Sequence, residues 1–161
     1  MLPGAYSAVM DASNRDEFRG EIVRFANGLG FQTVSAMTVV DHGLGNSEFI
    51  VVDNTPEAYT EQFADPTIGR RDPVMQHCRR ESLPIIWTQD TYVDRGQGEL
   101  WEQMASFGYR TGIALALHLP EGRHFQLGVD RDQPLPADAR ELQRIVADLQ
   151  LFAVHAQEAA L

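Results

Sequence analysis

A chain of 161 residues, 43% apolar and 22% charged, has the size and composition of one globular domain, large enough for a sizeable core and an internal pocket. Its formal net charge of −10 repels phosphate backbones and argues against nucleic-acid binding by this chain itself. No apolar run approaches the roughly 18 residues of a membrane span, the start M-L-P-G-A-Y-S-A-V-M lacks the basic region of a signal peptide, and one cysteine, Cys78, excludes an internal disulfide and fits a reducing cytoplasm.

Residues 3–12 carry a weak helical pattern. Asn14 is a good N-cap, and Phe18, Ile22, Phe25, Ala26 and Leu29 follow at helical spacing until Gly28 and Gly30 stop the helix. Phe31 to Val40 and Glu48 to Val52 read as a strand pair around the turn H-G-L-G-N at 42–46. Thr55–Pro56 and Asp72–Pro73 each combine a capping side chain with a proline suited to the first helical turn, predicting two short helices. Tyr59 and Phe63 lie on one face of the first. Val74, Met75 and Cys78 ride on the second.

The run L-P-I-I-W, ending at Trp87, reads as a strand or extended link. Gln97 to Phe107 predicts a helix whose apolar side is Leu100, Trp101, Met104 and Phe107, ended by Gly108. Thr111 to Leu119 and His124 to Val129 predict strands joined by the turn P-E-G-R at 120–123. Pro136 to Ala160 predicts a long amphipathic helix carrying Leu142, Ile145, Leu149 and Phe152. Short turns between strands imply antiparallel pairing. The predicted architecture is an α/β fold, a three-layer α-β-α sandwich around a central antiparallel sheet of about five strands. Its last turns, with Ala153, Ala156, Ala159 and Ala160, read as a partner surface, which predicts a homodimer.

Local sequence leaves two readings open at each candidate site. Asp72 is either a helix cap or a buried acceptor for a ligand N–H, and one carboxylate can do both. Trp87, Tyr92, Tyr59 and Phe63 are either core aromatics or walls of a pocket for a flat, partly polar ligand. Catalysis has little support. There is no G-x-S-x-G and no glycine-rich phosphate loop. His77 and Cys78 are neighbours on one helix with nothing local to orient them. The five histidines show no metal-site spacing. The chain reads as a non-enzyme without metal or cofactor.

The stretch from Asn54 to Gly112, with D-P-V-M-Q-H-C-x5-P-I-I-W at its centre, resembles the N-terminal autoinducer-binding domain of LuxR-type quorum-sensing regulators, and the LasR-like subgroup in particular. Asp72, Pro73, Trp87, Tyr92 and Gly112 carry the likeness, which extends over nearly the whole chain. The resemblance implies a buried pocket for an N-acyl homoserine lactone. In the family an aspartate accepts the ligand amide N–H and a tryptophan donates to the lactone carbonyl. The likeness assigns the acceptor role to Asp72 and makes Trp87 the family's second tryptophan, which walls the head group, with Leu100 and Met104 lining the pocket.

The chain also departs from the pattern. Tyr59 stands at the family's first-tryptophan position, and its phenol can still donate. Phe63 stands where the family has a tyrosine. Thr55, Ala114 and Gly128 stand where the subgroup has a tyrosine, a threonine and a serine, so the polar cage is thinner. The alternatives are a same-fold sensor for another small hydrophobic signal and a ligand-independent dimerisation module. The resemblance further implies a cytoplasmic protein in which 1–161 is the ligand-binding domain. A C-terminal helix-turn-helix domain absent from this chain would provide the only contact with DNA.

Overall fold

The computed structural model describes residues 8–43 and 47–160. Asn14 accepts a hydrogen bond from the Glu17 N–H at 2.9 Å and starts α1, Arg15–Gly28. Strands β1 (Thr33–Asp41) and β2 (Ser47–Asp53) follow. Three short helices come next: α2 (Glu57–Gln62), α3 (Pro66–Arg71) and α4 (Pro73–Arg80). Then come β3 (Ile85–Trp87), α5 (Gln89–Val93), α6 (Gly98–Ala105), β4 (Thr111–Leu119), β5 (Arg123–Arg131) and α7 (Ala139–Ala159). The five strands form one antiparallel sheet in the order β2-β1-β5-β4-β3. Glu121 and Gly122 turn the β4–β5 hairpin with φ of 65° and 71°, the left-handed pair that matches the twist of two antiparallel strands.

Strand alternation sorts the side chains into two cores. On one face Ile113, Leu115, Phe125, Leu127 and Val129 meet α1 and α7, where the Phe25 and Phe152 rings stack with centroids 3.9 Å apart. On the other face Ala114 and Ala116 meet Trp87 of β3 and the short helices through Val74, Cys78, Tyr92, Leu100 and Met104. The three-layer sandwich and the five-strand antiparallel sheet are therefore present. Among the described residues no helix is long and apolar enough to cross a membrane.

Several boundaries differ from the sequence reading. Of the helix expected over 3–12, a single 3-10 turn is present at Ala8–Asp11, and residues 3–7 lie outside the described residues, as does part of the turn at 42–46. Pro56, not Thr55, occupies the cap position of α2, with extended backbone (φ −57°, ψ 139°). The Thr55 hydroxyl instead donates to Asp53 Oδ2 at 3.0 Å. Helices α3 and α5 have six and five residues, too short for a periodic signal. Asp65 before Pro66 nonetheless repeats the cap-and-proline device, accepting from the Thr67 N–H at 2.9 Å. The last helix starts three residues late because Asp138 caps it, accepting from the Arg140 N–H at 2.9 Å.

The proposed partner surface is also corrected. Ala153 and Ala156 are fully buried in the α1–α7 core, because their small side chains let the helix approach it closely. The exposed apolar positions of α7 are Leu151 and Val154.

Candidate functional site

The sheet face under the short helices can be laid out from its register. Trp87, Gly112, Asp130 and Thr33 form one row across β3, β4, β5 and β1. Ile85, Ala114, Gly128 and Ser35 form the next, and Ala116, Gln126 and Met37 the third. Directly paired residues share a face, so Gly112, Ala114, Ala116 and Gly128 make a floor of small side chains. The floor is tight at Gly112. A Cβ there would sit 2.5 Å from the Val129 carbonyl oxygen and 2.6 Å from Trp87 Nε1, so the indole lies flat over a glycine that nothing larger can replace without displacement.

Asp72 closes the floor from the helix side. Its Oδ1 accepts from the Val74 N–H at 2.8 Å, the Met75 N–H at 3.4 Å and the Tyr92 hydroxyl at 3.0 Å. Both readings of Asp72 thus begin from one oxygen: Oδ1 performs the capping and Oδ2 takes no hydrogen bond among the described residues. Burial holds the carboxyl above the usual carboxylate range, although the bonds from Val74, Tyr92 and Met75 and the Arg79 charge pull it down. Trp87 is 2% exposed and meets Tyr92 edge to face at 5.6 Å. Tyr59 packs on Phe63 at 4.4 Å, and burial first, then Asp130, raises the pKa of its phenol.

The other expected residues fall into the same layer. Leu100 and Met104 are buried in the same cluster as Trp87 and Tyr92. Ala114 and Gly128 are directly paired in the floor, with the Ala114 Cβ 3.8 Å from where a Gly128 side chain would begin. Thr55 lies at the edge, tied to Asp53. Burial pushes the Cys78 thiol up to about 11, which leaves it protonated and a poor nucleophile.

Three polar residues of this face escaped the sequence reading. Gln126, buried on β5, donates to Met75 Sδ at 3.7 Å, a weak acceptor. Tyr109 is buried and its ring stacks on Tyr59 at 4.2 Å. Asp130 Oδ2 accepts a hydrogen bond from the Thr33 hydroxyl at 3.3 Å. The usable signal was phase: Gln126 and Asp130 flank Gly128 at strand period two, and Gly112 and Ala114 are in phase on β4.

Burial, reinforced by Asp72, pushes Asp130 up to about 7 despite the Thr33 hydrogen bond. A carboxyl whose folded pKa exceeds its unfolded value stabilises the fold most below the unfolded value of 3.8 and loses that contribution as pH rises towards 7. The full difference is worth at most about 4 kcal/mol. Urea unfolding from pH 4 to 8 is expected to show this decline in the wild type and a flatter profile in Asp130→Asn. Parallel profiles would remove Asp130 as the source.

A family model described as an autoinducer-binding domain matches residues 14–160. Among curated proteins, the transcriptional activator AnoR of Acinetobacter nosocomialis is 24% identical over 108 residues, covering 67% of this chain and 45% of AnoR. The activator AhyR of Aeromonas hydrophila is 22% identical over 123 residues, covering 74% of this chain and 46% of AhyR. The chain therefore spans less than half the length of these relatives. Among solved structures, the fold is shared with CepR2 of Burkholderia cenocepacia, an N-acylhomoserine lactone dependent LuxR family factor (TM-score 0.76, 22% identity, 95% of this chain and 89% of that one). It is also shared with SdiA in complex with octanoyl-rac-glycerol (TM-score 0.79, 21% identity, 96% of this chain and 62% of that one). The match of the family model over almost the full length places the chain in the autoinducer-binding domain family of LuxR-type regulators.

Proposed function

We propose that this domain senses an N-acyl homoserine lactone between the sheet and the short helices. The observation that carries the reading is the division of labour at Asp72. Oδ1 holds the α4 N-terminus and Tyr92, while Oδ2 is left to accept the ligand amide N–H. The Tyr59 phenol is the donor for a ligand carbonyl, and Trp87 walls the head group. Leu100, Met104, Phe63 and Ala114 supply apolar contact, Tyr92 orients Asp72, and Thr55 and Gly128 border the site. No residue here is assigned a catalytic role. In the full-length protein, ligand binding would govern homodimerisation and DNA contact through a separate helix-turn-helix domain in the cytoplasm. Leu151 and Val154 of α7 are the exposed apolar candidates for the dimer surface.

A second reading, a sensor of the same fold for a different acylated signal, is favoured by Phe63, Ala114 and Gly128, which lack the hydroxyls of the lactone cage. Melting separates the readings. A lactone at about 100 times its dissociation constant is expected to add about 2.7 kcal/mol, a rise of roughly 5–10 °C for a domain of this size. Calorimetry with and without long-chain lactones measures it. No rise with any saturating lactone would exclude the first reading, and mass spectrometry of small molecules extracted from the purified protein would then identify the alternative.

A further inference from the structure

Tyr109 buries a hydroxyl that makes no full hydrogen bond among the described residues. The residue is 5% exposed, its ring lies 4.2 Å from that of Tyr59, and Oη is buried without a hydrogen-bond partner. Two threonine hydroxyls, Thr55 and Thr33, stand close enough to favour its phenolate, but neither completes a hydrogen bond to it. Each threonine directs its own proton elsewhere, so neither donates to Tyr109. Thr33 donates to Asp130 Oδ2 at 3.3 Å and Thr55 to Asp53 Oδ2 at 3.0 Å. Asp130 in turn has one oxygen bonded by Thr33 and the other without a partner among the described residues. It shares the sheet row of Gly112 and Trp87.

A phenol that needs a partner and a carboxyl that needs a donor therefore face the same small-residue floor. Burying a hydroxyl without a partner is a standing penalty, one that phenylalanine at this position would not carry.

We propose that Tyr109 and Asp130 form a second polar subsite that reads a hydroxyl on an acylated ligand: the hydroxyl accepts from Tyr109 and donates to Asp130. The inference rests on the sensor reading above and deepens it. The burial of Asp130 supports it, since a buried carboxyl oxygen gains from any hydrogen-bond donor that replaces lost water. The subsite also restores polar contacts that Phe63, Ala114 and Gly128 have lost, but at a different point of the ligand. The hydroxyl can belong to the acyl chain of a lactone or to the head of an acylglycerol, and the probes distinguish them.

Binding of N-(3-hydroxyoctanoyl)homoserine lactone, N-octanoylhomoserine lactone and 1-octanoylglycerol is measured by calorimetry on wild type, Tyr109→Phe and Asp130→Asn. The wild type is expected to prefer a hydroxylated probe over the plain lactone by about three- to tenfold, the worth of one hydrogen bond. Tyr109→Phe is expected to erase that preference while its ligand-free melting point stays level or rises. Preference for the hydroxylated lactone assigns the hydroxyl to the acyl chain, and preference for the acylglycerol alone assigns it to the head group and retires the lactone reading. A preference unchanged in Tyr109→Phe, or absent from the wild type while the plain lactone binds, would overturn the subsite, with water left as the partner of Tyr109. A cooperatively melting wild type that binds none of the three would overturn the subsite together with the acylated-ligand reading.

Discussion

Ala153→Glu is expected to unfold the chain rather than to separate a dimer. Ala153 is fully buried, beside Phe152, whose ring stacks on Phe25 3.9 Å away. A carboxylate placed there would be taken out of water among the apolar side chains described for the α1–α7 core, and a neutral one would still overpack the interface. The expected loss exceeds about 4 kcal/mol, a large part of the roughly 5–15 kcal/mol that holds a domain together. Urea unfolding followed by circular dichroism measures it. Val154→Glu changes a half-exposed neighbour on the same helix and is expected to cost less than about 0.5 kcal/mol. Sedimentation of Val154→Glu is therefore the cleaner test of a partner surface. An Ala153→Glu variant as stable as wild type would show that this helix does not pack as described.

Asp72 predicts the largest effect on binding, and two substitutions separate its roles. Asparagine keeps an Oδ1 that can accept from Val74, Met75 and Tyr92, so the melting point of the free domain is expected to move little. It replaces Oδ2 with an NH2 group that faces the ligand N–H donor to donor. The lost charge-assisted bond is worth roughly 1.5–3 kcal/mol, so the affinity for a lactone is expected to fall about 10- to 100-fold. Alanine removes everything: the cap, worth about 1 kcal/mol, and the acceptor of the buried Tyr92 hydroxyl, whose orphaning costs about 1–3 kcal/mol. Asp72→Ala is therefore expected to destabilise the free domain by roughly 2–4 kcal/mol. Melting and titration calorimetry on both variants check the pair. Full lactone affinity in Asp72→Asn would leave Asp72 as a helix cap alone.

The fold was readable wherever sequence carries periodicity. The long runs of α1, α7, β4 and β5 each repeat apolar residues over several turns or alternations, so their type and pairing followed directly. The region between β2 and β4 was harder, since α3 and α5 are too short to repeat anything and are held by single capping contacts. The buried state of Ala153 and Ala156 was invisible for another reason. Alanine on a helix fits a close contact with its own core as well as one with a partner, and only the position of α1 decides. The candidate site divided in the same way. Asp72, Trp87 and Tyr92 stood out through the motif that contains them. Tyr109 stood out through nothing local and Asp130 only through its strand phase beside Gly128, because their interest lies in what their neighbours have already bonded.

The sheet also separates what can vary from what cannot. Successive residues of β4 and β5 alternate between the aromatic-stacked core and the small-residue floor, so a change at Ala114 or Gly128 does not touch Phe25 or Phe152. One side serves as a fixed chassis, and the other can be retuned one hydroxyl or one methyl at a time. Gly112 is the exception, held by a backbone oxygen 2.5 Å from any added carbon. A lineage built on this plan can drift to new signals through the floor positions beside that glycine, without rebuilding the scaffold that keeps it folded.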